Sequence, residues 1–171
     1  DLHVVGRVNP HFGRPIEALF SLSYTLKFAI KKGPIGLDYG VMPLEGQWWV
    51  DDPAAFSYND RSGWRWTAMV LQPDVVTPEL VAEQTAVVAK KKNPAALHLV
   101  RFAELHEGPS AQIMHLGPFS GEPPTIERLH AEIAARGYCL VGRHHEIYLS
   151  DMSRTAPAKM RTIIRQPVTH N

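Results

Sequence analysis

The sequence predicts an α+β protein: pseudo-twofold tandem β-α-β-β repeats forming an antiparallel sheet, with the helices on one face and a central ligand cleft. Three observations predict it. The elements read strand, helix, strand, strand, then a connecting helix and strand, then strand, helix, strand, strand. Apolar spacing switches between the period of a strand and that of a helix along the chain. Proline and glycine stand where each helical pattern stops. At 171 residues and 44% hydrophobic content the chain can bury one core, or two small subdomains sharing a sheet. With the helices gathered on one face, the opposite face is expected to form the concavity between the halves. One domain is expected over 1–171, with halves of about 1–73 and 100–171.

The elements follow in order. Leu2 to Val8 alternates as a strand, and from Pro15 to Lys32 the residues Ile16, Leu19, Phe20, Ser23, Leu26 and Ile30 form a helical stripe. Gly33-Pro34 ends that helix, because glycine takes the left-handed terminal conformation and proline cannot continue the helix. Strands are expected at Asp38 to Leu44 and Trp64 to Leu71. Thr77-Pro78-Glu79 opens the connecting helix, about 77–92, with Thr77 as cap and Pro78 in the first helical position. Asn93-Pro94 stops it. Val100 to His106 and Ser110 to Leu116, joined by Glu107-Gly108-Pro109, read as a hairpin. A third helix spans about Pro124 to Arg136, with Ile126, Leu129, Ile133 and Ala134 inward and Gly137 as terminator. Strands at Tyr138 to Val141, Arg143 to Leu149 and Arg161 to Val168 close the chain.

Composition removes several function classes. Lys plus Arg at 18 against Asp plus Glu at 17 leaves no basic surplus, so nucleic-acid binding is not expected. Lys90-Lys91-Lys92 suits the negative end of a helix. The one cysteine, Cys139, excludes an internal disulfide and reads as a small buried hydrophobe in its strand. Nine histidines raise the question of a metal, but none is spaced as a helical ligand pair, and His144 and His145 diverge on a strand. No metal or cofactor is expected. Neither a phosphate loop nor a nucleophile elbow occurs. With no long apolar run and no signal peptide, a cytoplasmic location without a membrane partner is expected.

The chemistry concentrates in the strand around His144-His145-Glu146-Ile147-Tyr148-Leu149. Residues two apart share a face, so His144, Glu146 and Tyr148 point one way, and His145, Ile147 and Leu149 the other, toward the core. A carboxylate inside such a strand needs a specific partner or a concave site, because burying an unpaired charge costs several kcal/mol. Glu146 is therefore the first candidate. Aromatic residues gather between 39 and 66, where Tyr39, Trp48, Trp49, Phe56, Tyr58, Trp64 and Trp66 occur; Phe119 lies further on. Such rings suit planar and cationic ligands, although each is equally explained by core packing. Trp48 and Trp49 cannot share one face of a regular strand.

Residues His144 to Asp151, followed by Arg154-Thr155-Ala156-Pro157 and Thr162 to Val168, resemble the GyrI-like small-molecule-binding family. Leu19 to Lys27, Tyr39 to Trp49, His115 to Phe119 and Pro124 to His130 fall in that family's order, so the resemblance covers nearly the whole chain. Around Pro10 to Arg14 the chain is shorter than the family's pattern. The paired tryptophans with His-His-Glu-Ile-Tyr resemble its cyclopropanoid cyclohydrolase subgroup, which opens the strained ring of spirocyclopropane DNA-alkylating antibiotics. The resemblance implies a cofactor-independent hydrolase for detoxification or self-resistance. It implies Glu146 as base or water-positioning group, Tyr148 or Tyr39 as hydrogen-bond donor, and Glu122 as a second acid, with Glu45 the competing choice. Tyr39, Trp48, Trp49, Trp66, Phe119, His144 and Glu45 are the expected ligand-binding residues. The alternative is a non-catalytic multidrug-binding protein for planar aromatic or cationic ligands. A third reading, which the family name raises, is a protein partner such as gyrase.

Overall fold

The computed structural model describes residues 2–7, 13–51 and 63–170. Phe56, Tyr58 and the shortened stretch around Pro10 lie outside them. The fold is α+β, with three α-helices and antiparallel strand pairs among the described residues. Contacts divide the chain into two units, Asp1–Leu44 with Trp66–His106, and Glu45–Arg65 with Glu107–Asn171.

In the first unit β1 (Leu2–Arg7) lies between β3 (Arg65–Gln72) and β4 (Val100–Glu104), with Val4 opposite both Val70 and Phe102. Helix α1 (Gly13–Lys32) buries Leu19, Leu26 and Ile30 of the predicted stripe together with Ala18 and Leu22, while Ile16 and Phe20 are only half-buried. Ser23 on that stripe is also fully buried, and the Gln72 amide donates to its hydroxyl at 3.0 Å. Helix α2 (Pro78–Lys91) packs on α1. Its start is the expected cap, in which Thr77 Oγ1 accepts from the Leu80 amide. At its end Asn93 takes a φ of +41°, a conformation that asparagine tolerates better than most residues.

The second unit holds β2 (Leu44–Trp49, from Glu45 onward), β7 (His144–Tyr148), β8 (Arg161–His170) and β5 (Ser110–Leu116), side by side in that order. Strand β6 (Tyr138–Leu140) pairs with the far end of β8. Helix α3 (Pro123–Ala135) buries Ile126, Leu129 and Ile133 against Ile164 and Val168 of β8. Gly137, at φ +77°, terminates it as expected.

Four expectations are corrected. The strand placed at Asp38 to Leu44 begins only at Leu44, after Pro43, and runs to Trp49. Val100–Glu104 and Ser110–Leu116 are strands but not a hairpin: β4 pairs with β1, and β5 with β8. Ala134 is exposed, because the inward stripe of α3 passes through Ile133 and the next residue turns outward. Cys139 is exposed rather than buried, since β6 pairs with β8 alone and presents it outward.

Ile164, with no exposed surface, is the residue on which α3 closes. Substituting it with alanine is expected to cost roughly 2–5 kcal/mol in urea unfolding, against about 1 kcal/mol for Thr77→Ala, which removes only a cap.

Candidate active site

Register on β7 and β8 fixes the site. Glu146 stands opposite Ile164 and Tyr148 opposite Thr162, so the acid and the phenol share the face on which α3 packs. The carboxylate therefore lies on the helix-bearing side of its strands, not on the open face expected for the concavity. Packing by α3 is what makes that face a buried environment; Glu146 and Tyr148 are 8% and 7% exposed.

The polar atoms on this face form a directional chain. An indole N–H can only donate, so Trp48 Nε1 gives its hydrogen to the Tyr148 hydroxyl at 3.0 Å. Tyr148 then donates to Glu146 Oε2 at 2.7 Å. His144 Nε2 stands 2.9 Å from the other carboxylate oxygen, Oε1, and donates to it when Glu146 is ionised. The hydrogens of Tyr148 and His144 meet the Glu146 carboxylate, and that of Trp48 meets the Tyr148 oxygen behind it. Burial, and after it the charge of Glu146, push the Tyr148 phenol well above its ordinary range, and the charge of Glu122 adds to this. Tyr148 is thus a neutral donor whose proton is engaged by Glu146; to donate to a ligand it must exchange that bond.

Aromatic rings close around the chain. Phe119 meets the Tyr148 ring edge-on with centroids 5.6 Å apart, and Trp64 meets Trp48 in the same way at 6.0 Å. Glu122 is buried at the start of α3, close enough for its charge to act on Tyr148. The segment that carries Phe119 and Glu122 is anchored by His115, whose Nε2 donates to the Pro118 carbonyl at 3.1 Å. Its Nδ1 faces the Thr125 hydroxyl at 2.9 Å. On α3, His130 is held below its ordinary 6.5 by burial and then by the charge of His144, which keeps it neutral near pH 7.

The other face of β7 is not purely apolar core. His145, fully buried, places Nδ1 2.9 Å from both oxygens of Glu107. Its Nε2 is 2.9 Å from Glu45 Oε2, out of line for an ideal hydrogen bond. Glu107 also accepts from Gln47 at 3.2 Å and from Arg165 at 3.3 Å. Burial works against a charged imidazole, but the bonds and charges of Glu107 and Glu45 outweigh it and hold His145 above 6.5. Glu107 answers in the opposite sense: burial would raise it, yet His145, Gln47 and Arg165 keep it below its ordinary 4.5.

The expected residues therefore divide. Glu146, Tyr148, His144, Trp48, Phe119 and Glu122 gather in one constellation. Glu45 belongs to the His145 cluster, and Trp49 lies beside it, with the Arg143 guanidinium 3.7 Å over its ring. Tyr39 and Trp66 belong to the other unit, where Trp66 is buried and the Tyr39 hydroxyl is buried without a hydrogen-bond partner among the described residues. Sequence reasoning passed over Gly46. A Cβ there would stand 2.9 Å from the Tyr148 hydroxyl and 3.1 Å from Trp48 Nε1, so glycine makes room for their bond. It also passed over Glu107, read only as a turn residue. Among the described residues no group of three or more His, Cys, Asp and Glu could hold a metal, and no helix is long and apolar enough to cross a membrane.

Residues 71–168 match the model of the GyrI-like small molecule binding domain. Among solved structures, an uncharacterized conserved protein from Listeria innocua is 33% identical. It has a TM-score of 0.89 over 98% of this chain and 87% of its own. A hydrolase from Listeria innocua is 31% identical, with a TM-score of 0.84 over the same shares. The C-terminal domain of EcmrR, at 14% identity and a TM-score of 0.54, covers 99% of this chain and 92% of its own and shares the fold. Among curated proteins none matches.

Two outcomes follow from this geometry. Gly46→Ala is expected to part Trp48 from Tyr148 and weaken ligand binding by about tenfold, roughly one lost hydrogen bond, as read by tryptophan fluorescence titration. The His145 contribution to stability is complete below pH 6.5 and disappears as pH climbs through its raised folded value. That of Glu107 is complete above 4.5 and disappears as pH falls through its depressed value. This cluster is therefore most stabilising between pH 4.5 and 6.5, against the loss that His130, held low, brings as pH falls below 6.5, and His145→Gln should flatten the alkaline decline of the thermal midpoint.

Proposed function

The chain belongs to the family of GyrI-like small-molecule-binding domains, and we propose that it is a hydrolase that opens the cyclopropane ring of spirocyclopropane DNA-alkylating genotoxins by adding water. The observation that carries this reading is the chain from Trp48 through Tyr148 to Glu146, completed by His144, in which both oxygens of a buried carboxylate meet specific partners. Two crystal structures of hydrolases from Listeria innocua, at 31% and 32% identity, support enzymatic activity in a chain of this kind.

The chemistry asks little of the protein. Each Glu146 oxygen keeps a lone pair beyond its present bond, enough to orient a water against the unsubstituted ring carbon and take its proton. The water oxygen forms the new C–O bond, the strained C–C bond breaks, and its electron pair passes into the dienone to leave an aromatic phenolate. A donor stabilises the charge growing on that oxygen. Tyr148, neutral and already polarised by Trp48, is that donor once the ligand exchanges its bond to Glu146. The proton that Glu146 takes from the water passes back through Tyr148 to the phenolate, with Glu122, near Tyr148, as the second acidic group beside that path. Net, one water is added and no cofactor takes part. Opening the ring removes the alkylating centre, which is detoxification or self-resistance.

A second reading shares these residues. Trp48 and Trp64 beside an acid also suit sequestration of planar or cationic drugs without turnover.

Incubation of the protein with a duocarmycin-type alkylator in excess, followed by mass spectrometry, separates the two. Repeated formation of the hydrated, ring-opened product is expected. Glu146→Gln should lower kcat by at least about a hundredfold while the neutral drug still binds, because stacking survives the loss of the base. Undiminished turnover in that variant removes Glu146 from the mechanism, and binding without product in the wild type leaves the sequestering reading.

A further inference from the structure

The His145 cluster has no part in that chemistry, yet it joins the same two strands. On one face of β2 and β7, Trp48 is bonded to Tyr148; on the other, Glu45 meets His145. Glu45 is three residues from Trp48 and His145 three from Tyr148, so both contacts depend on one alignment of two neighbouring strands. The charged groups facing the imidazole come from every described element around it: Glu45 from β2, Glu107 ahead of β5, and Arg165 from β8, directly opposite on the ladder. Arg143, just before β7, reaches the cluster through Gln47 at 3.4 Å.

A neutral imidazole has one N–H and one lone pair. Between two carboxylates its Nε2 lone pair would lie 2.9 Å from an anion on the Glu45 side, off the line of an ideal hydrogen bond, since Nδ1 is engaged by both oxygens of Glu107. Only the imidazolium carries a hydrogen on each nitrogen and a positive charge that both carboxylates attract. We propose that His145 is a positioning residue: as an imidazolium shared between Glu45 and Glu107, it aligns β7 with β2 so that Tyr148 and Glu146 meet Trp48, and its deprotonation releases that alignment. The consequence is an alkaline limit on activity set by a residue on the opposite face of the sheet from the ligand. The inference rests on the reading of Glu146 as the group that acts on the ligand.

Glu45→Gln tests it, because a glutamine amide can donate to the lone pair of neutral His145 and keep the strands aligned after the proton is lost. In the wild type, ring-nitrogen NMR should show both nitrogens of His145 protonated at neutral pH, and turnover of the alkylator should decline as that proton leaves. The ratio of turnover at about pH 9 to that at about pH 7 should rise in Glu45→Gln by about tenfold relative to wild type. His145→Gln, which cannot titrate, should lose the decline as well, with kcat lowered throughout. A neutral His145 at pH 7, or an alkaline decline unchanged in Glu45→Gln, overturns the proposal. A wild type that neither turns over nor binds the alkylator at any pH overturns the functional reading instead, and the nitrogen shifts then decide the positioning state by themselves.

Discussion

The alternation of a single five-residue strand places two adjacent ionisable side chains on opposite faces, and both are buried. Much of the second unit answers the demand this creates. An unpaired charge at either position would cost several kcal/mol, a large share of the 5–15 kcal/mol that typically holds a domain together. Each face therefore carries its own set of partners: around Glu146 they come from β7 itself, with Trp48 of β2 behind Tyr148, and around His145 from β2, β8 and the segment around Glu107. Both sets reach across the chain, since Gln47 and Glu107 are 60 residues apart and Trp48 and Tyr148 are 100 apart.

The two networks are built on different electrostatic principles. Around Glu146 the partners are single hydrogen-bond donors, a phenol backed by an indole and an imidazole, which converge on one acid. Around His145 two carboxylates compensate one imidazolium, with Arg165 adding a second positive charge. One network converges on a single acid; the other consumes its charges internally. A buried ion cluster of the second kind is weak evidence for stability but better evidence for a fixed register, because misalignment would leave one member uncompensated.

Strand periodicity was enough to bring His144, Glu146 and Tyr148 together and to separate Trp48 from Trp49, because side-chain direction in a strand depends only on parity. Helix ends were equally legible, since Thr77, Asn93 and Gly137 act through their own backbone. The failures have one cause. β2 was placed too early because Glu45, Gly46 and Gln47 look like turn residues, whereas the structure buries all three against partners that local pattern does not reveal. Gly108 takes a φ of +70°, but a Glu-Gly-Pro junction between two strands does not say which strands pair on either side of it. In the same way, the imidazole taken for core was buried as expected and yet ionic, a distinction set by Glu45 and Glu107 rather than by its neighbours in sequence.

Gly46 carries no chemistry, yet it decides whether the chemistry of its neighbours can assemble. Glutamate and tyrosine two apart on a strand are common enough to recur by chance, and their presence in a relative says little about what that relative can do. A missing side chain across the ladder is harder to account for except by what fills the vacancy. When sequences of this family are sorted, the informative column is therefore the silent one. Members with any Cβ at that position must hold their tyrosine differently, and should be grouped apart from this protein even where every reactive residue agrees.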